Sequence, residues 1–295
     1  MKLGYIGLGK MGHNMVERLV KKGHEVFAFD IDEDARRAAE KSGAKIAVTL
    51  SELVGKLDTP KNIWIMVPHQ TVDDVLSELV PFLVDGDTVI DGGNSPYKES
   101  MRRAGGFEST GINFVDVGVS GGPAGAREGA CVMVGVDKED FEALEPLFRD
   151  LAAPGAYGYM GTHGAGHFVK MVHNGIEYGM MQAIAEGFAM MEKSGFGLNL
   201  EKIAGLYSHR SVVESRLVEW LKEGFEEFGQ EMEGISGSVG ASGEGEWTVE
   251  AARDLGVPAK VIEDAFAFRV ASQDNPSYTG KLLQAMRNRF GGHSA

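Results

Sequence analysis

The sequence predicts an α/β N-terminal domain built on a mainly parallel sheet, followed by an all-α C-terminal domain. Three observations carry this. The first 160 or so residues alternate short apolar runs with amphipathic stretches, the pattern of strands joined by helical crossovers. The remainder is helical in texture and holds no β-branched alternating run. The change falls near Gly164, so the expected domains are residues 1–164 and 165–295, each of ordinary size within a chain of 295.

Taken in order, the apolar runs Leu3–Gly7, Glu25–Asp30, Asn62–Val67, Thr88–Asp91, Asn113–Val117 and Cys131–Val134 read as strands. Asn14–Lys22 and Glu33–Ser42 read as the first crossover helices. Beyond the boundary, one long Pro-free helical pattern runs from Gly166 to about Lys193. Further helices are expected at Leu200–Ser208, Val212–Phe228, Val249–Leu255 and Ala259–Ser272. Glu233–Trp247 has eight Gly or Ser among fifteen residues and reads as a flexible loop. The pairs Met180-Met181 and Met190-Met191, and Cys131 in its apolar run, read as core packing.

Charge narrows the function. Twenty-nine Lys and Arg against 43 Asp and Glu leave a net charge of −14. That argues against a nucleic-acid partner, which needs a basic face, and against a polybasic membrane anchor. No apolar run approaches the ~18 residues of a membrane span. Met1–Ile6 reads as a strand rather than an export leader, so a cytoplasmic location is expected. Cys131 is the single cysteine, which excludes an intrachain disulfide and a cysteine metal cluster. The eight His show no ligand spacing, and no metal is expected. Gly, at 41 residues, is about twice its usual ~7%.

Some of that glycine forms Gly7-Leu8-Gly9-Lys10-Met11-Gly12, a G-x-G-x-x-G run between a strand and a helix. A second strand ends at Asp30, 18 residues past Gly12. This context marks a Rossmann-type dinucleotide site. Gly7 permits the tight turn, Gly9 admits a pyrophosphate, and Gly12 lets helix and strand approach. Leu8 and Met11 lie in the same turn, and the helix N-terminus favours the phosphates. An acid at position 30 can accept from the ribose hydroxyls and repels a 2′-phosphate, so NAD is favoured, with NADP possible. Arg36 and Arg37 read as a solvated helix face. Val67 and Asn94, at later strand ends, complete the expected cofactor contacts.

The run from Gly164 to Gly179 carries the chemistry. On a wheel of about 100° per residue with Lys170 at zero, His173 lies near about −60°, Asn174 near about +40° and Glu177 near about −20°. Four polar groups thus share one stripe of a helix rich in Phe, Val, Ile and Met. Buried ionisable groups are costly unless paired or functional. A Lys beside a dinucleotide can act as base to a substrate hydroxyl if burial lowers its pKa. Gly175 and Gly179 would let another backbone or a ligand come close. Two strand-end loops, Asp91–Ser95 and Gly118–Gly122, offer Asn94, Ser120 and the Gly121 and Gly122 amides as substrate or nicotinamide contacts.

At these residues the sequence resembles the 6-phosphogluconate dehydrogenases of the β-hydroxyacid dehydrogenase superfamily. The matching stretches are GLGKMG, VIDGGNS, GVSGGPAGAREG, GHFVKMVHNGIEYGMMQ and RNRFGGH, which span nearly the whole chain. It looks like the short form, which lacks the second helical half of longer relatives. The resemblance implies oxidative decarboxylation of 6-phosphogluconate to ribulose 5-phosphate and CO2, with hydride passing to NAD or NADP. It implies Lys170 as base, Glu177 as the acid that protonates C1 of the enediol, and Asn174 beside them. Asn94, Ser120, Gly121, Gly122, His173 and Asn174 would hold the sugar acid. Tyr178, Arg269, Arg287 and His293 would hold the phosphate end. The family's GTGKWT stretch reads Gly243-Glu244-Gly245-Glu246-Trp247-Thr248 here, so Glu246 replaces a phosphate-binding Lys. In the family the C-terminal residues matching Arg287 and His293 reach a partner's site, which implies a homo-oligomer, a dimer or tetramer. The service would be gluconate utilisation or the pentose phosphate route.

Two other functions compete. A 3-hydroxyisobutyrate-type dehydrogenase would share the glycine motif, the SGG loop and the Lys, without needing Glu177. A non-catalytic dinucleotide-binding module would be expected to lack Lys170 or the polar stripe, and both are present.

Overall fold

The computed structural model describes residues 1–241 and 243–291. The chain divides into two compact units, Met1–Met171 and Val172–Ala295. The first opens with β1 (Lys2–Ile6), α1 (Lys10–Lys21), β2 (Glu25–Phe29), α2 (Glu33–Lys41) and β3 (Lys45–Ile46). It continues with α3 (Leu50–Gly55), β4 (Asn62–Ile65), α4 (Val72–Leu79), β5 (Thr88–Asp91) and α5 (Tyr97–Phe107). It closes with β6 (Asn113–Ser120), α6 (Gly122–Glu128), β7 (Ala130–Gly135), α7 (Lys138–Leu151) and β8 (Ala152–Gly161). The strands form one sheet in the order β3-β2-β1-β4-β5-β6-β7-β8. Only the β6–β7 pair is antiparallel. The mainly parallel α/β domain expected from the sequence is therefore the one observed.

Alternation along the strands divides the apolar side chains between two faces. Leu3, Tyr5, Trp64, Ile90 and Val115 pack with Met15, Val16 and Leu19 of α1 and with Leu147 and Phe148 of α7. Ile6, Ile63, Ile65, Val89 and Phe114 pack instead with Leu53, Leu76 and Phe107 of α3, α4 and α5. Both faces of the sheet are covered, as a parallel sheet requires. Strand order reverses at β1, with β2 on one side and β4 on the other. The carboxyl ends of β1, β2, β4, β5 and β6 open along one edge, where such sheets bind ligands.

Two strands have no counterpart in the sequence reading. β3 is two residues long, and β8 carries Gly and Pro on a half-exposed edge. Cys131, expected in the core, is exposed. It occupies the outward position of β7 while its neighbours Ala130 and Val132 point inward.

α8 (Ala165–Glu192) begins in the first unit and continues into the second. The second unit adds α9 (Leu200–Tyr207), α10 (Arg216–Phe228), α11 (Glu244–Asp254), α12 (Lys260–Ala271) and α13 (Tyr278–Gly291). Side-chain caps fix two helix starts. Asn199 accepts from the Lys202 N–H at 2.8 Å, and Ser215 accepts from the Val218 N–H at 3.3 Å. The Ser215 cap explains why α10 starts at Arg216 and leaves Val212 and Val213 exposed. The core gathers Met181, Ala185 and Phe188 of α8 with Leu221 and Phe225 of α10 and Leu282 and Met286 of α13.

The described residues of the Gly- and Ser-rich segment, expected to be a flexible loop, are packed in part against the helices. Ile235 and Val239 are buried, and the Val239 N–H donates to Ser272 Oγ at 2.9 Å. Gly237 lies so close to Gly280 of α13 that a Cβ on Gly280 would overlap the Gly237 carbonyl. Its last residues start α11. The methionine pairs also divide. Met181 is buried, whereas Met180 and Met190 are exposed. No helix among the described residues is long and apolar enough to cross a membrane.

Candidate active site

Gly7 follows β1 at φ +96°, and a Cβ there would overlap the Met66 carbonyl and touch Val67. Val67 is thereby placed beside the glycine turn. Gly12 lies against the Gly7 carbonyl with no room for a side chain. A Cβ on Gly9, by contrast, would meet nothing within 4 Å, and Gly9 gives α1 no side-chain cap. Leu8 is buried and Met11 half-buried. Asp30, just past β2, accepts from the Leu8 N–H at 2.6 Å and from the Asp32 N–H at 2.8 Å. The acid thus pins the glycine turn to the end of β2. An open approach over Gly9 at a helix start, with an acid at the next strand end, fits a dinucleotide.

The two arginines of α2 differ. Arg37 pairs with Glu33 and Asp34 on an exposed face. Arg36, expected to be solvated, instead donates to the Asp30 carbonyl at 2.5 Å and the Ile31 carbonyl at 3.2 Å. Those carbonyls lie just past β2, and a guanidinium in the first turn of α2 reaches them.

The first turns of α8 are pressed onto the sheet through missing side chains. A Cβ on Gly118 of β6 would overlap the Lys170 Cβ. Gly166 meets the Asp116 and Met133 carbonyls and the Gly135 N–H. Asp116, fully buried in β6, accepts from the Gly164 N–H at 2.6 Å and the His167 N–H at 2.8 Å. It thereby caps α8 from another strand. Burial pushes its carboxyl above the usual range, against the pull of His167 and the two N–H groups. Lys170, one turn on, is 8% exposed. Beyond β5, Asn94 is exposed. Ser120, which ends β6, and Gly121 and Gly122 after it are half-buried, with Gly121 at φ +133° and Gly122 at +62°.

His167 and Asp116 escaped the sequence reading. The signals were an acid inside the apolar strand run Asn113–Val117, and a His one turn before Lys170 on the same face.

In the second unit, α8 carries His173, Asn174 and Glu177 along one side, all half-buried. His173 Nδ1 is 3.0 Å from Asn174 Oδ1 and 4.0 Å from a Glu177 oxygen. Gly175 packs against Thr248 of α11, where a Cβ would lie 2.5 Å from Thr248 Cγ2. Next to these, the buried Arg269 guanidinium stacks 3.4 Å above the Tyr178 ring. Burial pulls Arg269 down to about 10, with Tyr178 opposing and Arg287 assisting. Arg287 is 8% exposed, and burial likewise pulls it below the usual arginine range, against Tyr178, Glu177 and Glu244. Two desolvated cations beside one tyrosine have the chemistry to pair with an anion. Arg287 belongs to α13, lies against Gly240 and donates to Gln284 Oε1 at 2.9 Å. His293 lies outside the described residues. Glu246 is exposed on the first turn of α11, one residue after Gly245, which packs on the Tyr178 ring. Among the described residues no group of three or more His, Cys, Asp or Glu is placed to hold a metal ion.

Fold and glycine turn define the class: an NAD(P)-binding α/β domain followed by a helical domain, the plan of a dinucleotide-dependent oxidoreductase. Residues 2–173 match the NAD-binding domain of 6-phosphogluconate dehydrogenase, and residues 166–279 match the 6-phosphogluconate dehydrogenase C-terminal domain. The chain is 45% identical to YqeC of Bacillus subtilis, provisionally named a 6-phosphogluconate dehydrogenase, covering 100% of this chain and 99% of that one. It is 41% identical to the NAD(+)-dependent, decarboxylating 6-phosphogluconate dehydrogenase of Haloferax volcanii, covering 99% of this chain and 98% of that one. The Plasmodium falciparum 6-phosphogluconate dehydrogenase structure, known with NADP+ and with 6-phosphogluconate, superimposes with a TM-score of 0.83 at 28% identity. That match covers 92% of this chain and 62% of the longer Plasmodium chain. The chain belongs to the 6-phosphogluconate dehydrogenase family of decarboxylating, NAD(P)-dependent oxidoreductases.

Proposed function

We propose that the protein oxidises 6-phosphogluconate to ribulose 5-phosphate and CO2, with NAD favoured over NADP. The observation that carries the reading is α8 itself, which bears a buried lysine where it crosses Gly118 and a carboxylate two turns later. The NAD(+)-dependent Haloferax relative and the acid at position 30 support the cofactor preference. Residues 1–164 are the dinucleotide-binding part, and residues 165–295 hold substrate and make the homo-oligomer.

Gly7, Leu8, Gly9, Met11, Gly12, Asp30, Val67 and Asn94 would hold the dinucleotide, whose nicotinamide supplies the hydride acceptor. Lys170 takes the C3 hydroxyl proton as the C3 hydrogen departs. The 3-keto acid then loses its C1 carboxyl as CO2: the C1–C2 bonding electrons form a C2=C3 double bond as the C3 carbonyl π electrons pass to its oxygen. Lys170, now charged, returns its proton to that oxygen. Glu177 delivers a proton to the carbon that lost CO2. Asn94, Ser120, Gly121, Gly122, His173 and Asn174 orient the sugar acid. Tyr178, Arg269 and Arg287, with His293, take the phosphate. Glu246 offers no cation there, so the two buried arginines carry that charge.

The test is turnover of 6-phosphogluconate by purified protein with NAD or NADP, followed by reduced-nicotinamide absorbance and trapped CO2. Equimolar reduced cofactor and CO2, with NAD the better substrate, is expected. Absence of turnover with both cofactors would overturn the reading.

A further inference from the structure

We propose that His167 is a positioning residue that locks the helix bearing Lys170 to the strand-end loop bearing Asn94. The inference rests on the functional reading above and adds a residue to it. His167 is 2% exposed, and its ring spans two partners. Nε2 lies 3.1 Å from the Gly93 carbonyl, and Nδ1 lies 2.7 Å from Ser100 Oγ. A carbonyl only accepts, so Nε2 carries a proton, while Nδ1 meets the Ser100 hydroxyl, which can donate or accept. Both ring nitrogens thereby have a partner.

Each end of this link is anchored. On the loop side, the Gly93 N–H donates to Asp91 Oδ1 at 3.1 Å, and the Ser95 hydroxyl donates to Asp91 Oδ2 at 2.7 Å. Arg103 donates to Asp91 Oδ2 at 3.1 Å and to Ser95 Oγ at 3.0 Å. On the helix side, the His167 N–H is fixed by Asp116 at 2.8 Å. One residue therefore joins β6, α5, α8 and the loop after β5. Lys170 follows three positions later on the same face, so a tilt of the first turn of α8 moves the base relative to Asn94. Such a contact acts on geometry, and a displacement of about 1 Å in a reacting pair costs roughly 10²-fold in rate.

His167→Gln keeps an N–H at the Nε2 position for the Gly93 carbonyl. His167→Asn is too short to reach it, and His167→Leu offers no polar atom. Turnover, KM for both substrates, the isotope effect with 3-deuterated 6-phosphogluconate, and Tm are measured for all three. The expected result is a kcat about 10²-fold lower in Asn and Leu, KM within a few-fold, and a raised isotope effect as hydride transfer becomes limiting. The Gln variant recovers to within about tenfold of wild type. If the Leu variant does not fold, the Asn and Gln pair decides alone. Variants that lose Tm but keep wild-type kcat, or a Gln variant no better than Asn, would overturn the proposal while wild-type turnover stands. Wild-type protein without turnover overturns the functional reading instead, and the proposal with it.

Discussion

Lysine ammonium groups are strongly hydrated, so stripping water from one is costly unless the site uses it. Lys170 is 8% exposed, and a glycine opposite it lets its backbone reach the sheet. Lys170→Ala should lower turnover by at least about 10²–10⁴-fold, the usual worth of a general acid or base. Its dinucleotide Kd, read by fluorescence titration, should stay near wild type. Near-normal turnover would remove Lys170 from the mechanism. Glu177→Gln should instead slow the formation of ribulose 5-phosphate after hydride transfer, visible as a burst of reduced cofactor ahead of product. Asp30 has a different task, since its carboxylate holds the Leu8 N–H and would face a ribose. Asp30→Ala should weaken NAD and improve NADP, because a hydrogen-bond acceptor and a repulsive charge leave together. Arg36, already fastened to the end of β2, would then lie ready for the added phosphate. An unchanged ratio of kcat/KM values for the two cofactors would disprove this role.

α8 shows how one helix can contain glycines of opposite meaning. A Cβ on Gly187 would meet nothing within 4 Å, so the glycine there only costs backbone entropy. Gly187→Ala should stabilise by about 0.5–1 kcal/mol and raise Tm by a few degrees. Gly175→Ala drives a methyl into Thr248 and should destabilise by about 1–3 kcal/mol. Calorimetry on both variants checks the pair, and a stabilised Gly175→Ala would show that α11 yields freely. α8 was legible because its Pro-free pattern is long. α13 was not, because Leu282 to Arg287 are all buried and a helix covered on every side loses its amphipathic period. β8 was hidden for the opposite reason, having too little apolar surface to mark a strand.

Across the whole chain, the order of strands and helices was readable because parallel strands buried on both faces announce themselves as apolar runs. The glycine turn and Asp30 were readable because their spacing is local. The link from Asp116 through His167 to Gly93 was not, because only folding brings positions 93, 116 and 167 together. Folding also sets the response to acid. Burial alone would push the Asp87 carboxyl up, but the Lys61 ammonium and the Lys61 and Val84 N–H groups outweigh it. Asp87 is therefore held below the usual carboxylate range. Its stabilisation is complete above the unfolded value of about 3.9 and is lost as pH falls through the folded one. Asp87→Asn should lower Tm at neutral pH, and the gap from wild type should close as pH drops below about 4. A gap that widens in acid would reverse the assignment.

Because α8 runs unbroken from Ala165 to Glu192, the border between the two units at Met171 falls inside a helix. Chimeras between this enzyme and its relatives that cross over at that border would join two half-helices of different ancestry, with Lys170 at the seam. A crossover before Ala165 uses a natural break instead, since Gly161 and Gly164 already turn the backbone at φ +137° and +90°. Whole-helix inheritance keeps Lys170, Glu177 and the intervening turns in one phase. Exchange of halves should therefore yield active hybrids when the joint lies at 161–164, and poorly active ones when it lies at 171.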